Sequence, residues 1–179
     1  NVIEFDKVNF SYGRERVLHD VSFSINKGEK IAIVGETGAG KSTIAKLILR
    51  FYLPNEGDVN FYGESSRQVS QKWARKNIAY VPQESFLFRG SIKNNLIYSN
   101  PEGINLEQEL QEIGVLDWFE RYENGLDQEV GERGANVSAG ERQFIALLRA
   151  VLAKREIIVF DEATACLLYT SDAADEFMG

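Results

Sequence analysis

Gly35-Glu-Thr-Gly-Ala-Gly-Lys41-Ser42-Thr43 packs three glycines, a lysine and three hydroxyl side chains into one short stretch. Glycines at that density let the backbone curl until successive N–H groups point inward, the geometry that cradles phosphate oxygens. Gly35, Glu36, Thr37, Gly38, Ala39 and Gly40 form the cradle. Lys41 supplies a full charge for β- and γ-phosphates, Ser42 offers a hydroxyl to Mg²⁺, and Thr43 follows it in the first turn of a helix. That helix adds its positive dipole end and unpaired N–H groups. A plain strand–glycine turn–helix is the bland alternative, yet the stretch fits G-x-x-x-x-G-K-[ST] without a mismatch. A second group stands far downstream, where apolar Ile157-Ile-Val-Phe160 runs into Asp161-Glu162. Four apolar residues place Asp161 at the carboxyl end of a central strand, where open α/β sheets bind ligands. There Asp161 can hold Mg²⁺, directly or through water, and Glu162 can polarise an attacking water. Two solvated acids ending a strand are common; a phosphate loop a domain's length upstream makes them half of a phosphoryl-transfer site.

The elements that must position these groups follow from periodicity. Lys30–Val34 reads as a short buried strand feeding the phosphate loop, and Ile44–Phe51 as an apolar-faced helix leaving it. Val2–Phe10 and Val21–Ile25 alternate as antiparallel strands, with Tyr12-Gly13-Arg14 as the turn region between them. Asp58–Phe61 is another short strand, Glu64–Gln71 a polar surface loop, and a short helix surrounds Trp73. Ile78–Val81 is a buried strand closed by Pro82. Ser91 to about Tyr122 is helical and turn-broken, with Leu106, Leu110 and Ile113 on one face, a small helical subdomain. Ser138 opens a strong amphipathic helix to about Lys154, and Ile157–Phe160 reads as a strand buried on both faces.

A chain of 179 residues suffices for one α/β domain with a sizeable core. Its formal net charge of −7 argues against nucleic acid as the main partner and against docking on an anionic membrane surface. No apolar run reaches the length of a membrane span and no signal peptide opens the chain. The single cysteine rules out an internal disulfide and fits a reducing compartment. The abrupt start in strand-like Val2–Phe5 suggests a domain cut from a longer polypeptide.

Between the two phosphate-site motifs lies Asn136-Val-Ser138-Ala-Gly140-Glu-Arg-Gln143, which resembles the L-S-G-G-Q signature of ATP-binding cassette proteins. Ser138 is a good N-cap, so its hydroxyl and the free N–H groups of the helix form a second anion site. Other positions agree with this family. Val81-Pro-Gln83 resembles its glutamine loop, in which the glutamine reaches Mg²⁺ and senses a membrane domain. Tyr12 matches the aromatic that stacks on adenine. Val130–Gly134 and Phe86–Ile92 are similar to segments that mark exporter-type cassettes, the former touching transmembrane coupling helices. The resemblance covers Val2 to Ala165.

It implies an α/β fold: a P-loop NTPase core with a mainly parallel sheet, an N-terminal antiparallel β subdomain and a small helical subdomain at about 85–140, with the C-terminal part of the core missing. It implies ATP and Mg²⁺ as ligands, with Lys41, Gln83 and Glu162 catalytic and Ser42, Gln83 and Asp161 around the metal. Tyr12, the phosphate loop, Ser138 and Gly140 bind nucleotide, but not the same one: two cassettes pair head to tail as a homo- or heterodimer. ATP on the phosphate loop of one is then covered by Ser138 and Gly140 of the other. The implied work is ATP-driven export at the cytoplasmic face of a membrane, bacterial inner membrane being expected, with a transmembrane domain fused upstream. A soluble cassette ATPase and a truncated module without turnover are the competing readings.

The chain departs from the family in two places. Val137, Ala139 and Glu141 replace the usual Leu, Gly and Gln of the signature; Glu141 suits the helix dipole but would repel phosphate if aimed inward. After Ala165 the family pattern ends. Residues 166–179 lack the expected helix and the strand ending in a switch histidine, and His19, the only histidine, precedes the phosphate loop. Cys166–Glu176 equals the translation of a transposase adaptor used for sequencing libraries, so a non-biological tail is expected, with weak ATP binding and negligible hydrolysis by the chain as it stands.

Overall fold

The computed structural model describes residues 1–100 and 104–161. Glu162 and the tail at 166–179 lie outside the described residues. The chain divides into two compact units, Asn1–Ile78 and Ala79–Gly179.

In the first unit β1 (Ile3–Tyr12) and β2 (Glu15–Ile25) form a hairpin whose register runs from Ile3↔Ile25 to Tyr12↔Glu15. Gly13, at φ 62°, makes the turn that the sequence placed there. Ile3, Phe5, Val8 and Phe10 are all buried, although Phe5 to Val8 breaks the two-residue period. A bulge at Lys7, at φ 48°, supplies the extra residue and restores the inward face. β3 (Glu56–Phe61) pairs antiparallel with the other edge of β1, and the two-residue β4 (Glu64–Ser65) with β3. Gly57 is required beside the bulge: a Cβ there would lie 2.2 Å from the Lys7 carbonyl oxygen. The polar stretch expected to be a surface loop at 64–71 therefore contains β4, and it buries Ser66 and Val69. Ser66 is accommodated because its hydroxyl donates to the Asp58 carboxylate at 3.2 Å. Helix α1 (Lys41–Ile48) buries Ile44, Ala45, Leu47 and Ile48, and α2 (Gln71–Asn77) sets Trp73 against Phe61 and Tyr62.

The segment Lys30–Val34 corrects the sequence reading. No strand forms there; Ile31 and Ile33 are two-fifths exposed and Val34 is 87% exposed. An apolar run becomes a strand only where another strand takes up its N–H and C=O groups, and among the described residues none pairs with this one.

In the second unit β5 (Ile78–Val81) pairs with β8 (Ile157–Phe160) in a parallel two-stranded sheet. Between them come β6 (Gly90–Ser91), α3 (Ile92–Ile97), α4 (Leu106–Ile113), β7 (Glu129–Val130) and α5 (Ala139–Leu152). One core of Leu87, Ile92, Leu96, Leu110, Phe119, Ile145, Leu148 and Leu152 holds the helices together. Here β8 is the second correction. Ile157 is buried, but Ile158 and Phe160 are 36% and 47% exposed, so the strand is not covered on both faces.

Candidate functional site

Helix α1 differs at its N-terminus from the other four α-helices described. Ser70, Ser91, Asn105 and Ser138 each cap a helix by accepting from a backbone N–H. At α1 the cap is Gly40, in the left-handed region at φ 87°, with no side-chain hydrogen bond. A helix end left this way keeps its first N–H groups and its positive dipole for an outside anion. Only glycine serves: a Cβ on Gly40 would stand 2.6 Å from the Leu18 side chain. The Lys41 ammonium folds back and donates to the carbonyls of Gly35 at 2.6 Å and Glu36 at 2.8 Å. Carbonyl dipoles orient that charge without neutralising it, and among the described residues no carboxylate pairs with it. Ser42 occupies the first turn beside it.

Tyr12, at the end of β1, is brought to the same helix. The Thr43 hydroxyl donates to the Tyr12 hydroxyl at 3.4 Å, and the Lys46 ammonium lies 5.5 Å from the ring centre. Phe10 and Tyr52 meet the Tyr12 ring nearly perpendicularly, at 4.9 and 5.4 Å between centroids. Lys46 and Tyr52 went unread in the sequence, since no spacing rule links either to a tyrosine in another element.

The remaining described candidates belong to the second unit. Ser138 caps α5 in a complete capping box: its hydroxyl accepts from the Glu141 N–H at 3.2 Å, and its own N–H donates to Glu141 Oε2 at 2.8 Å. Glu141 is thus an acidic residue in the first turn, folded back onto the cap. Burial alone would raise its carboxyl, but the hydrogen bonds with Ser138, then the nearness of the Tyr122 hydroxyl and the Arg121 charge, hold it below its ordinary value. Burial, and then the Glu141 carboxylate, push the Tyr122 phenol well above its usual range, so it stays protonated. Gly140 stands in the first turn, where its N–H is one of the helix's free donors.

Asp161 follows β8 directly, and its N–H donates to the Val81 carbonyl at 3.0 Å, extending the β5–β8 pairing by one residue. Gln83 lies just beyond Val81, so Asp161 and the glutamine segment share the carboxyl end of this sheet. The Tyr80 hydroxyl donates to Asp161 Oδ2 at 3.2 Å, and burial together with the Asp161 charge raises the Tyr80 phenol. The two exporter-like segments are joined: β6 and β7 pair with Gly90↔Val130 and Ser91↔Glu129. Asn136 clips the second of them, donating to the Glu129 carbonyl and accepting from the Gly131 N–H, both at 2.8 Å. Buried Asn95 and half-buried Arg149 fasten the first. Arg149 donates to the Asn95 carbonyl and side-chain oxygens at 2.8 and 2.7 Å, and Asn95 donates to the Phe88 carbonyl at 2.9 Å. Tyr12 and the phosphate loop therefore assemble in one unit, and Gln83, Ser138, Gly140 and Asp161 sit in the other.

Ser42 in the first unit, and Gln83 and Asp161 in the second, each carry an oxygen donor of the kind a hard divalent ion takes. Among the described residues no cluster of three or more His, Cys, Asp or Glu could hold a metal on its own.

The comparisons with known proteins agree with this geometry. The family model described as ABC transporter matches residues 18–165. An ATM1-type heavy metal exporter of Novosphingobium aromaticivorans is 41% identical over 168 residues, covering 92% of this chain and 28% of the exporter. The human mitochondrial iron-sulfur clusters transporter ABCB7 is 40% identical over 170 residues, covering 92% of this chain and 22% of the transporter. Among solved structures, a bacterial Atm1-family ABC exporter with ATP bound superposes at a TM-score of 0.88 with 37% identity, over 98% of this chain and 31% of that one. The chain thus spans less than a third of the length of these relatives. With a phosphate loop, a capped signature helix and an acidic strand end on a fold of this likeness, the chain belongs to the ATP-binding cassette (ABC) transporter family.

Proposed function

We propose that this chain is the ATP-binding and ATP-hydrolysing cassette of an exporter, one that moves a substrate across a membrane. The observation carrying it is the glycine-capped start of α1, whose first N–H groups have no side-chain acceptor and beside which the Gly35 and Glu36 carbonyls hold the Lys41 ammonium. Tyr12 stacks on the adenine, Gly35–Thr43 hold the phosphates, and Ser42, Gln83 and Asp161 hold Mg²⁺, which screens phosphate charge when bound. Lys41 stabilises charge developing on the γ-phosphate, Gln83 orients the reacting groups, and Glu162 positions the attacking water. Ser138 and Gly140 cover the nucleotide of a second cassette arranged head to tail. Residues 1–165 form the cassette, with its helical subdomain at about 85–140. Segments 86–92 and 130–134 face a transmembrane domain fused upstream, and the cassette works at the cytoplasmic face of that membrane. Among the described residues no helix is long and apolar enough to cross it.

A second reading applies to the polypeptide by itself: weak ATP binding with negligible turnover. It is favoured by the exposed Ile31, Ile33 and Val34, an unpaired lead into the phosphate loop that leaves the cradle poorly braced. The full-length parent reconstituted in vesicles tests the main proposal. ATP-dependent transport is expected, and Glu162→Gln should abolish hydrolysis while retaining ATP binding. Undiminished turnover in that variant contradicts the assignment of Glu162, and a parent without membrane-spanning segments contradicts export.

A further inference from the structure

Tyr12 is held by more than its own strand. Three of its contacts come from α1 and the residues just after it: the Thr43 hydroxyl, the Lys46 ammonium and the Tyr52 ring. The fourth is Phe10, a buried neighbour within β1. Tyr52 also packs on Phe10, with centroids 5.5 Å apart, so the three rings form one cluster. Phe10 belongs to the core, whereas Tyr52 is 44% exposed and closes the cluster on its solvent side. A ring constrained on several sides gives up less freedom when a flat ligand stacks on it. Because the helix that begins at the phosphate loop also carries these contacts, it sets the distance between ring and loop.

We infer that Tyr52 is a positioning residue for the nucleotide base: it clamps the Tyr12 ring against α1, so that base and triphosphate engage together. The inference rests on Tyr12 being the base platform, and it makes Tyr52 a determinant of preference for a nucleotide over a bare triphosphate. Tyr52 touches the platform and not the phosphates, so its loss is felt by one class of ligand only.

Calorimetric titration of the 179-residue chain with Mg-ATP and with Mg-tripolyphosphate tests this. Tyr52→Leu should weaken ATP by about three- to tenfold, the size expected for an aromatic pair, and leave tripolyphosphate binding unchanged. Tyr52→Phe keeps the ring and should preserve the wild-type ratio of the two affinities. In a Tyr12→Ala background, Tyr52→Leu should have no further effect on ATP. Equal weakening of both ligands, no change for either, or full additivity with Tyr12→Ala overturns the inference. If Tyr12→Ala itself leaves ATP affinity intact, the base-platform reading fails with it; if only Tyr52→Leu is silent, the platform stands and the clamp does not.

Discussion

At the start of α1, Gly40 takes a left-handed conformation and leaves the first N–H groups of the helix without a side-chain acceptor; at the start of α5, Ser138 and Glu141 satisfy one another. Both ends carry the same dipole and the same orphan donors. One has kept its donors, with an ammonium held next to them, and the other has committed the Ser138 and Glu141 N–H groups to its own cap. What remains at α5 is the Ser138 hydroxyl proton and the first-turn N–H groups of Ala139 and Gly140. Two helix ends with the same dipole therefore differ in kind, and the proposed function gives them different work: the first would hold phosphate, the second would close over a partner's.

That contrast breaks most visibly at Lys41. Lys41→Ala should lower ATP affinity by at least about tenfold, as loss of a charge-assisted phosphate contact does, with the melting temperature barely moved. Calorimetry and a thermal melt on the same sample check both halves. Arg149→Ala should do the reverse. It strips buried Asn95 of a charged partner and costs about 2 kcal/mol of stability, read by urea unfolding, while ATP affinity is retained. Gly40→Ala should cost about 1–2 kcal/mol, because an L residue must take φ 87° and its Cβ meets Leu18, and it should weaken ATP as well. Ser138→Ala removes the α5 cap for about 1 kcal/mol without changing ATP binding to a single cassette.

The smallest effect sharpens the comparison through pH. Glu141 sits below its ordinary value in the folded chain, so its contribution is present above the unfolded carboxylate range and is lost as pH falls through the lowered folded value. The stability gap between wild type and Glu141→Ala should be seen at neutral pH and should close on acidification. A gap that persists at low pH contradicts the capping role.

Elements whose signal is local were legible in the sequence. The β1–β2 hairpin followed from alternation and a glycine turn, α5 from Ser138 ahead of an apolar stripe, and α1 from the phosphate-loop pattern itself. β5 came out with the bounds expected of it. The misreadings share one cause. Lys30–Val34 and Ile157–Phe160 are apolar runs, and such runs state only that burial is wanted, not which neighbours supply it. Ser66 is buried because Asp58 stands opposite, a partner that composition does not reveal. Tyr52 escaped for the same reason: its role depends on a ring forty positions away in the chain.

Hydrogen exchange of individual backbone amides in the 179-residue chain, with and without Mg-ATP and at a concentration where the chain is monomeric, tests the central contrast most directly. ATP should slow exchange at Gly38, Gly40 and Lys41 and leave Ala139, Gly140 and Glu141 unchanged. Protection at the α5 amides in the monomer, or none at the start of α1, would contradict the account.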